Sequence, residues 1–247
     1  MKKQLGKFLN QLLGRLGYTL VKADGALLKN RLQNMARLGF EAPVILDGGA
    51  HKGNWTKMVS KIFPDSKYIL VEPNPTVFSK IRENLKGQDL EYTVVEKALG
   101  ATSGHLELNI WEDADKELTG SSLCTHVRGT ATKTLRCEVA PLDTLIDVYN
   151  ETPNLVKLDL QGYEINALKG AEKILRSAEL LIIEFGCLEA YIDRTSVDEL
   201  MDFLYERDYR LYDIVDLHYR PYDKALTGGD FFFIKKNSKL RAYSGWE

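Results

Sequence analysis

The chain is poor in cysteine, with only Cys124, Cys137 and Cys187. An odd number at wide spacing, without a CxxC pair, excludes both a disulfide framework and a zinc site of the paired-cysteine kind. These cysteines are read as reduced packing residues. No apolar run approaches the ~20 residues that span a bilayer, and the N-terminus lacks the apolar stretch and cleavage site of a secretory signal, so a cytoplasmic protein is expected. A net charge of -2 gives no global pull toward nucleic acid or membrane. Internal repeats and low-complexity segments are absent too. So is any set of glycines at relative positions one, three and six, which the dinucleotide fingerprint requires.

What is present is ordinary globular composition, 44% hydrophobic and 28% charged over 247 residues, which suits one α/β domain with a short appendage. Charge is unevenly placed. Lys2, Lys3, Lys7, Arg15, Lys22, Lys29, Arg31 and Arg37 face the lone acid Asp24 near the N-terminus. Leu5, Phe8, Leu9, Leu12, Leu13 and Leu16 recur there at helical spacing. Residues 1–42 are therefore expected to form a basic amphipathic helical extension, and 43–247 the main domain. The extension has two readings: a helix packed on the domain, or an interfacial helix in peripheral contact with anionic lipid.

From Pro43 onward short β-branched runs alternate with helical patterns, the signature of a mostly parallel sheet wrapped by helices. Strands are expected at Val44–Leu46, Tyr68–Val71, Tyr92–Val95, Leu155–Leu160 and Leu180–Phe185. Helices are expected at Asn54–Phe63, from the Pro73–Pro75 turn to Lys86, and at Leu142–Tyr149, Glu164–Arg176 and Val197–Arg207. An insertion at about 101–141 changes period, and His105–Ile110 with Thr134–Val139 predict a hairpin beside the main sheet. Tyr209–Val215 and Phe231–Lys235 are joined by too short a loop for a crossover helix, so this last pair must be antiparallel.

Ligands of an open α/β sheet bind beyond the strands' carboxyl ends, where strand order reverses. The loop after the first strand, Asp47-Gly48-Gly49-Ala50-His51-Lys52-Gly53, is placed there. Gly49 and Gly53 supply turn dihedrals and close backbone approach. Asp47 is suited to pair with a ligand ammonium or to organise the turn. An acid directly before a loose glycine turn suits the amino-acid end of S-adenosylmethionine better than a pyrophosphate. Glu72, followed by Pro73, Asn74 and Pro75 at the end of the second strand, is suited to accept hydrogen bonds from both hydroxyls of a ribose. Ala98 and Leu99, in the stretch Glu96–Gly100, offer small apolar surface for an adenine face.

The segment Val156-Lys157-Leu158-Asp159-Leu160-Gln161-Gly162-Tyr163-Glu164, continuing through Leu168-Lys169-Gly170-Ala171, resembles the strongest motif of the FkbM methyltransferase family. Agreement extends to the first-strand loop, Glu72-Pro73, Ala98-Leu99-Gly100, Ser121-Ser122-Leu123, Leu142-Asp143 and Glu184, covering roughly Val44 to Phe185. The resemblance implies a class I, Rossmann-like methyltransferase fold: a mostly parallel seven-stranded sheet ending in an antiparallel hairpin. It also implies S-adenosylmethionine as donor and oxygen methylation of carbohydrates or related hydroxylated natural products. Residue by residue, Asp47, Gly49 and Gly53 become cofactor-loop positions, Glu72 the ribose ligand, Asp159 the acid beside the methyl group and Ser122 a cofactor contact. The family often has asparagine where this chain has His51.

Methyl transfer needs an acceptor oxygen held ~3 Å from the methyl carbon, and alignment supplies much of the rate. A carboxylate or imidazole in reach of the hydroxyl proton adds typically ~10²–10⁴-fold. Asp159 is the first candidate, with Glu184 an acceptor contact. His126 in the insertion and His218 in the terminal loop are alternative bases, and Trp111, Tyr219 and Tyr222 are candidate sugar-stacking surfaces. Glu164 is divided between helix-end anchor and site residue. No metal is expected, although Asp159, Glu184 and Asp230 form a candidate Mg²⁺ set if they converge. Rival readings are a nicotinamide-dependent oxidoreductase, a catalytically silent binding module, and a nucleic-acid methyltransferase, the last disfavoured by overall charge.

Overall fold

The structure is a computed structural model and describes residues 27–112, 118–124, 133–150, 152–187, 196–243 and 245. Residues 1–26 and His126 lie outside the described residues. The strands are β1 (Val44–Gly48), β2 (Lys67–Val71), β3 (Glu91–Val95), β4 (Ala98–Leu99), β5 (Gly104–Glu112), β6 (Leu118–Ser122), β7 (Lys133–Ala140), β8 (Leu155–Leu158), β9 (Leu180–Gly186), β10 (Tyr209–Tyr219) and β11 (Leu226–Lys235). The helices are α1 (Leu28–Arg37), α2 (Asn54–Val59), α3 (Phe78–Leu85), α4 (Leu142–Tyr149), α5 (Glu164–Lys169), α6 (Glu172–Ser177) and α7 (Val197–Tyr205).

A seven-stranded sheet has the order β10-β11-β9-β8-β1-β2-β3. Neighbours pair in parallel from β9 to β3, whereas β11 is antiparallel to both β9 and β10. The chain builds outward from β1 through β2 and β3, then returns to the other side of β1 with β8. The switch of strand order therefore falls between β1 and β8, and it opens a crevice at their carboxyl ends.

Parallel strands are covered on both faces, and every residue of β1 and β8 is accordingly buried. Alternation divides their side chains between two layers. Leu46, Ile69, Val156, Leu158, Leu181 and Ile183 pack with the inner faces of α4, α5, α6 and α7. Ile45, Tyr68, Leu70, Leu155, Leu180 and Ile182 pack with α1, α2 and α3. Each such aliphatic side chain contributes ~1.5–3 kcal/mol on full burial. Within α1, Leu28, Leu32 and Met35 belong to this second layer, so the described end of the N-terminal extension is packed on the domain. Its helix start is tied to β10, where the Leu28 N–H donates to Asp216 at 3.2 Å and Arg31 pairs with Asp213.

Four expectations need correction. The insertion is more than a hairpin: β4, β7, β5 and β6 form a separate four-stranded sheet in that order. Ala98 and Leu99 pair in parallel with Val139 and Ala140, so they belong to this second sheet and not to the end of β3. The helix expected over Glu164–Arg176 is split into α5 and α6 around Gly170. A Cβ on Gly170 would lie 2.3 Å from the Gly100 carbonyl oxygen, and this close approach by another segment is invisible to local periodicity. The helix expected over Asn54–Phe63 ends at Val59.

Candidate active site

The crevice between β1 and β8 opens into a cavity lined by residues of both sheets. Its glycine wall follows from backbone conformation. Gly49, His51 and Gly53 take positive φ of 76°, 48° and 73° and turn the chain from β1 into α2. The N–H groups of Gly49 and Ala50 both donate to the Val71 carbonyl, at 2.9 and 3.2 Å, which fastens the loop to the end of β2. Gly49 must lack a side chain because a Cβ would sit 1.9 Å from the Asp159 carbonyl oxygen.

Glu72 closes the second side. It is 3% exposed, with Oε2 accepting the His51 N–H at 2.7 Å and Oε1 accepting the Asn74 N–H at 2.8 Å. Burial pushes its pKa up to about 7, against the opposing pull of those two hydrogen bonds. Each carboxylate oxygen has a second lone-pair direction, so both retain acceptor capacity toward a ligand diol. Apolar Val71, Pro73, Ala98, Leu99, Leu108, Leu123 and Leu160 line the same cavity, a composition typical of a small-molecule site.

The second sheet forms the lid side of this cavity. Ser122 is buried; its hydroxyl donates to the Gln161 carbonyl at 2.7 Å and accepts the Cys124 N–H at 2.9 Å. The loop after β8 is held in turn by Glu164, whose Oε1 accepts the N–H groups of Leu160 at 3.0 Å and Gly162 at 3.1 Å. Glu164 is 1% exposed and does not line the cavity, so of its two readings the structure shows the anchor.

Asp159 stands where the cavity meets a second group of ionisable residues. Its side chain accepts from Gln161 at 2.7 Å and from Lys157 at 3.4 Å, and the Glu184 carboxyl lies beside it. Glu184 and Asp230 are direct register partners on β9 and β11 and therefore share a face. Burial opposes charge on Asp159, but Lys157 and the surrounding hydrogen bonds outweigh it and hold its pKa below the usual carboxylate value. Glu184 goes the other way, raised by burial and then by the adjacent Asp159 charge. Burial also lifts Asp230 to about 7. These carboxyls do converge, yet Lys157 sits among them, and no group of metal-ligating side chains of suitable arrangement occurs among the described residues.

The expected site residues divide as follows. Gly49, His51, Glu72, Pro73, Ala98, Leu99, Ser122 and Asp159 line the cavity; Gly48, Ala50, Gly53 and Asn74 shape its edges without lining it. Of the two readings of Asp47, the contacts it makes are those of the turn organiser. It is fully buried, accepts the Thr56 hydroxyl at 2.7 Å and lies 3.3 Å from Lys157 Nζ, so it organises the turn from below instead of facing a ligand. Glu184 lies beyond Asp159, outside the cavity wall. His218 is exposed on β10, opposite Gly228. Sequence reasoning assigned no role to Lys157, Gln161, Tyr163 or Lys97. The i, i+2 spacing of Lys157 and Asp159 along a strand was the available signal for the first.

A family model described as the methyltransferase FkbM domain matches residues 47–211. The chain is 22% identical over 196 residues to the 2-O-methyltransferase NoeI of Sinorhizobium fredii, covering 74% of this chain and 80% of that protein. It is 25% identical over 162 residues to the hexuronic acid methyltransferase AglP of Haloferax volcanii, covering 65% of this chain and 62% of that protein, less than two thirds of its length. Among solved structures, an rRNA methylase from Streptococcus thermophilus superposes with a TM-score of 0.50 at 12% identity, covering 88% of this chain and 99% of that one, a likeness of fold alone.

Proposed function

The chain belongs to the FkbM methyltransferase domain family and is an S-adenosylmethionine-dependent methyltransferase; on that premise we propose that it methylates a hydroxyl oxygen of a sugar or a related small hydroxylated acceptor. The observation that carries the cofactor side is Glu72, a buried acid with both oxygens aimed by backbone amides, at the edge of a cavity whose opposite wall leaves no room for a Cβ on Gly49. A ribose diol satisfies such a carboxylate, and the apolar side chains nearby suit an adenine ring. The acceptor class rests on the two relatives, whose names specify 2-O-methylation and a hexuronic acid.

When bound, S-adenosylmethionine supplies an electrophilic methyl group. The protein's part is to hold the acceptor and its proton. Asp159, ionised and open on the cavity side, receives the hydroxyl proton as the oxygen becomes an ether; Glu184 and Asp230 stand behind it, outside the cavity wall. Residues 1–42 are proposed as an appendage to a methyltransferase domain of residues 43–247. No described helix is long and apolar enough to cross a membrane.

The deciding experiment is mass spectrometry of glycan, lipid and small-metabolite extracts from cells with and without the gene. A sugar-containing species heavier by one methyl unit only when the gene is present supports the assignment. A gain confined to nucleic acid or protein refutes the acceptor class.

A further inference from the structure

Lys157 is almost fully buried, an uncommon place for an ammonium group, and it is surrounded by partners from separate parts of the chain. Its Nζ lies 3.3 Å from Asp47 Oδ1 at the end of β1, 3.4 Å from Asp159 Oδ2, and 3.3 Å from the Gly49 carbonyl oxygen of the glycine loop, with the Trp55 ring of α2 at 6.0 Å. One side chain on β8 therefore touches the strand end, the cofactor loop and the acid at the reacting edge.

The second observation is the adjacency of Asp159 and Glu184: Leu158 and Ile183 are register partners on the parallel β8 and β9, which sets the next residue of each strand beside the other. Two carboxyls held side by side away from water favour holding one proton between them, because two carboxylates repel and have no donor to share. Which of them keeps the proton depends on the charges nearby. From β8 and β1 come Lys157 and Asp47; from β11 comes Asp230, itself in the field of Asp216 on β10. The ammonium lies against Asp159, whereas Asp230 of β11 faces Glu184 as its register partner.

We propose that Lys157 is a positioning residue that keeps Asp159 the ionised member of a one-proton pair with Glu184, and ties that carboxylate to the glycine loop through Gly49 and Asp47. The inference rests on Asp159 being the base of the proposed function and adds the device that keeps it a base. Glu184, as the protonated member, donates to Asp159 and orients it; it leaves the acceptor's proton to Asp159 alone.

The test uses the full chain without acceptor. Side-chain carboxyl ¹³C resonances are followed from about pH 5 to about pH 9, and Asp159→Asn and Glu184→Gln assign the two signals. In the wild type at about pH 7, Asp159 is expected to read as a carboxylate and Glu184 as a carboxylic acid. In Lys157→Met the Asp159 midpoint is expected to rise by at least ~1 unit, a tenfold gain in proton affinity, and Lys157→Arg is expected to reverse most of that rise. An unmoved Asp159 midpoint in Lys157→Met overturns the proposal, and so does a wild type in which both groups are ionised at neutral pH. Should the Lys157 variants fail to fold, the wild type still decides: its Lys157 Nζ must remain an ammonium at about pH 10, and a neutral amine overturns the idea. Binding of S-adenosylhomocysteine to the wild type, measured by calorimetry, is a separate arm. Its absence sinks the cofactor reading without touching the proton result.

Discussion

Gly49 and Asp159 meet across the junction of β1 and β8, so closely that a Cβ on the first would lie 1.9 Å from the carbonyl oxygen of the second. The glycine loop after β1 and the strand end that bears the acid thus share a wall. A shift in one displaces the other.

Gly49→Ala tests that wall directly. The residue has φ of 76° and no room for a methyl group, so strain of ~1–3 kcal/mol adds to the steric overlap. Lower thermal stability and at least ~tenfold weaker binding of S-adenosylhomocysteine are expected. A variant that melts and binds like the wild type would show that the two segments can part freely.

Glu72→Ala should weaken S-adenosylhomocysteine far more than it weakens the fold. Losing an ionised acceptor for a hydroxyl pair costs ~1.5–3 kcal/mol, or roughly 10–150-fold in affinity. Calorimetry reads the number, and unchanged affinity removes Glu72 from the ribose role.

The same residue makes stability depend on pH. Burial raises the Glu72 pKa from 4.5 to about 7 in the folded chain. Between these values the unfolded chain releases its proton while the folded chain retains it, so stability falls as pH rises through the window and levels off above about 7. At ~1.4 kcal/mol per unit the loss approaches ~3 kcal/mol. Urea melts of wild type and Glu72→Gln across the window check it. The variant should lack this part of the slope, and parallel slopes would contradict the assignment.

Asp159→Asn is expected to abolish turnover while leaving S-adenosylhomocysteine affinity within a few-fold of the wild type, because the residue acts on the acceptor's proton. A fully active variant would refute the base assignment.

Turnover is also expected to survive EDTA. The position beside Asp159 that a divalent cation would take is held by the Lys157 ammonium at 3.4 Å, which repels a second cation. Activity abolished by EDTA and restored by Mg²⁺ would overturn this.

Much of the framework was legible before any coordinates. Val44–Leu46 and Leu180–Ile183 are apolar on both faces and read as interior strands. The short connection after Val215 forced an antiparallel ending, which the β10–β11 pair confirms. Position at a strand end sufficed to place Glu72 and Asp159 on one cavity. The errors came from contacts distant in sequence. The break at Gly170 depends on the Gly100 carbonyl, and the choice between the two readings of Asp47 depends on Lys157, a residue on a strand far along the chain. Local pattern shows that a residue is buried or at a strand end; it does not show what arrives opposite.

The amide at position 51 also explains a tolerance. Glu72 is met there by an N–H that every residue except proline possesses, so the imidazole is dispensable for that contact. The backbone at φ 48° restricts the choice in another way, since asparagine and histidine are among the few side chains at ease in the left-handed region. Exchange between those two at this position leaves the clasp on the acid intact, and the identity of the side chain becomes free to follow whatever molecule enters the crevice.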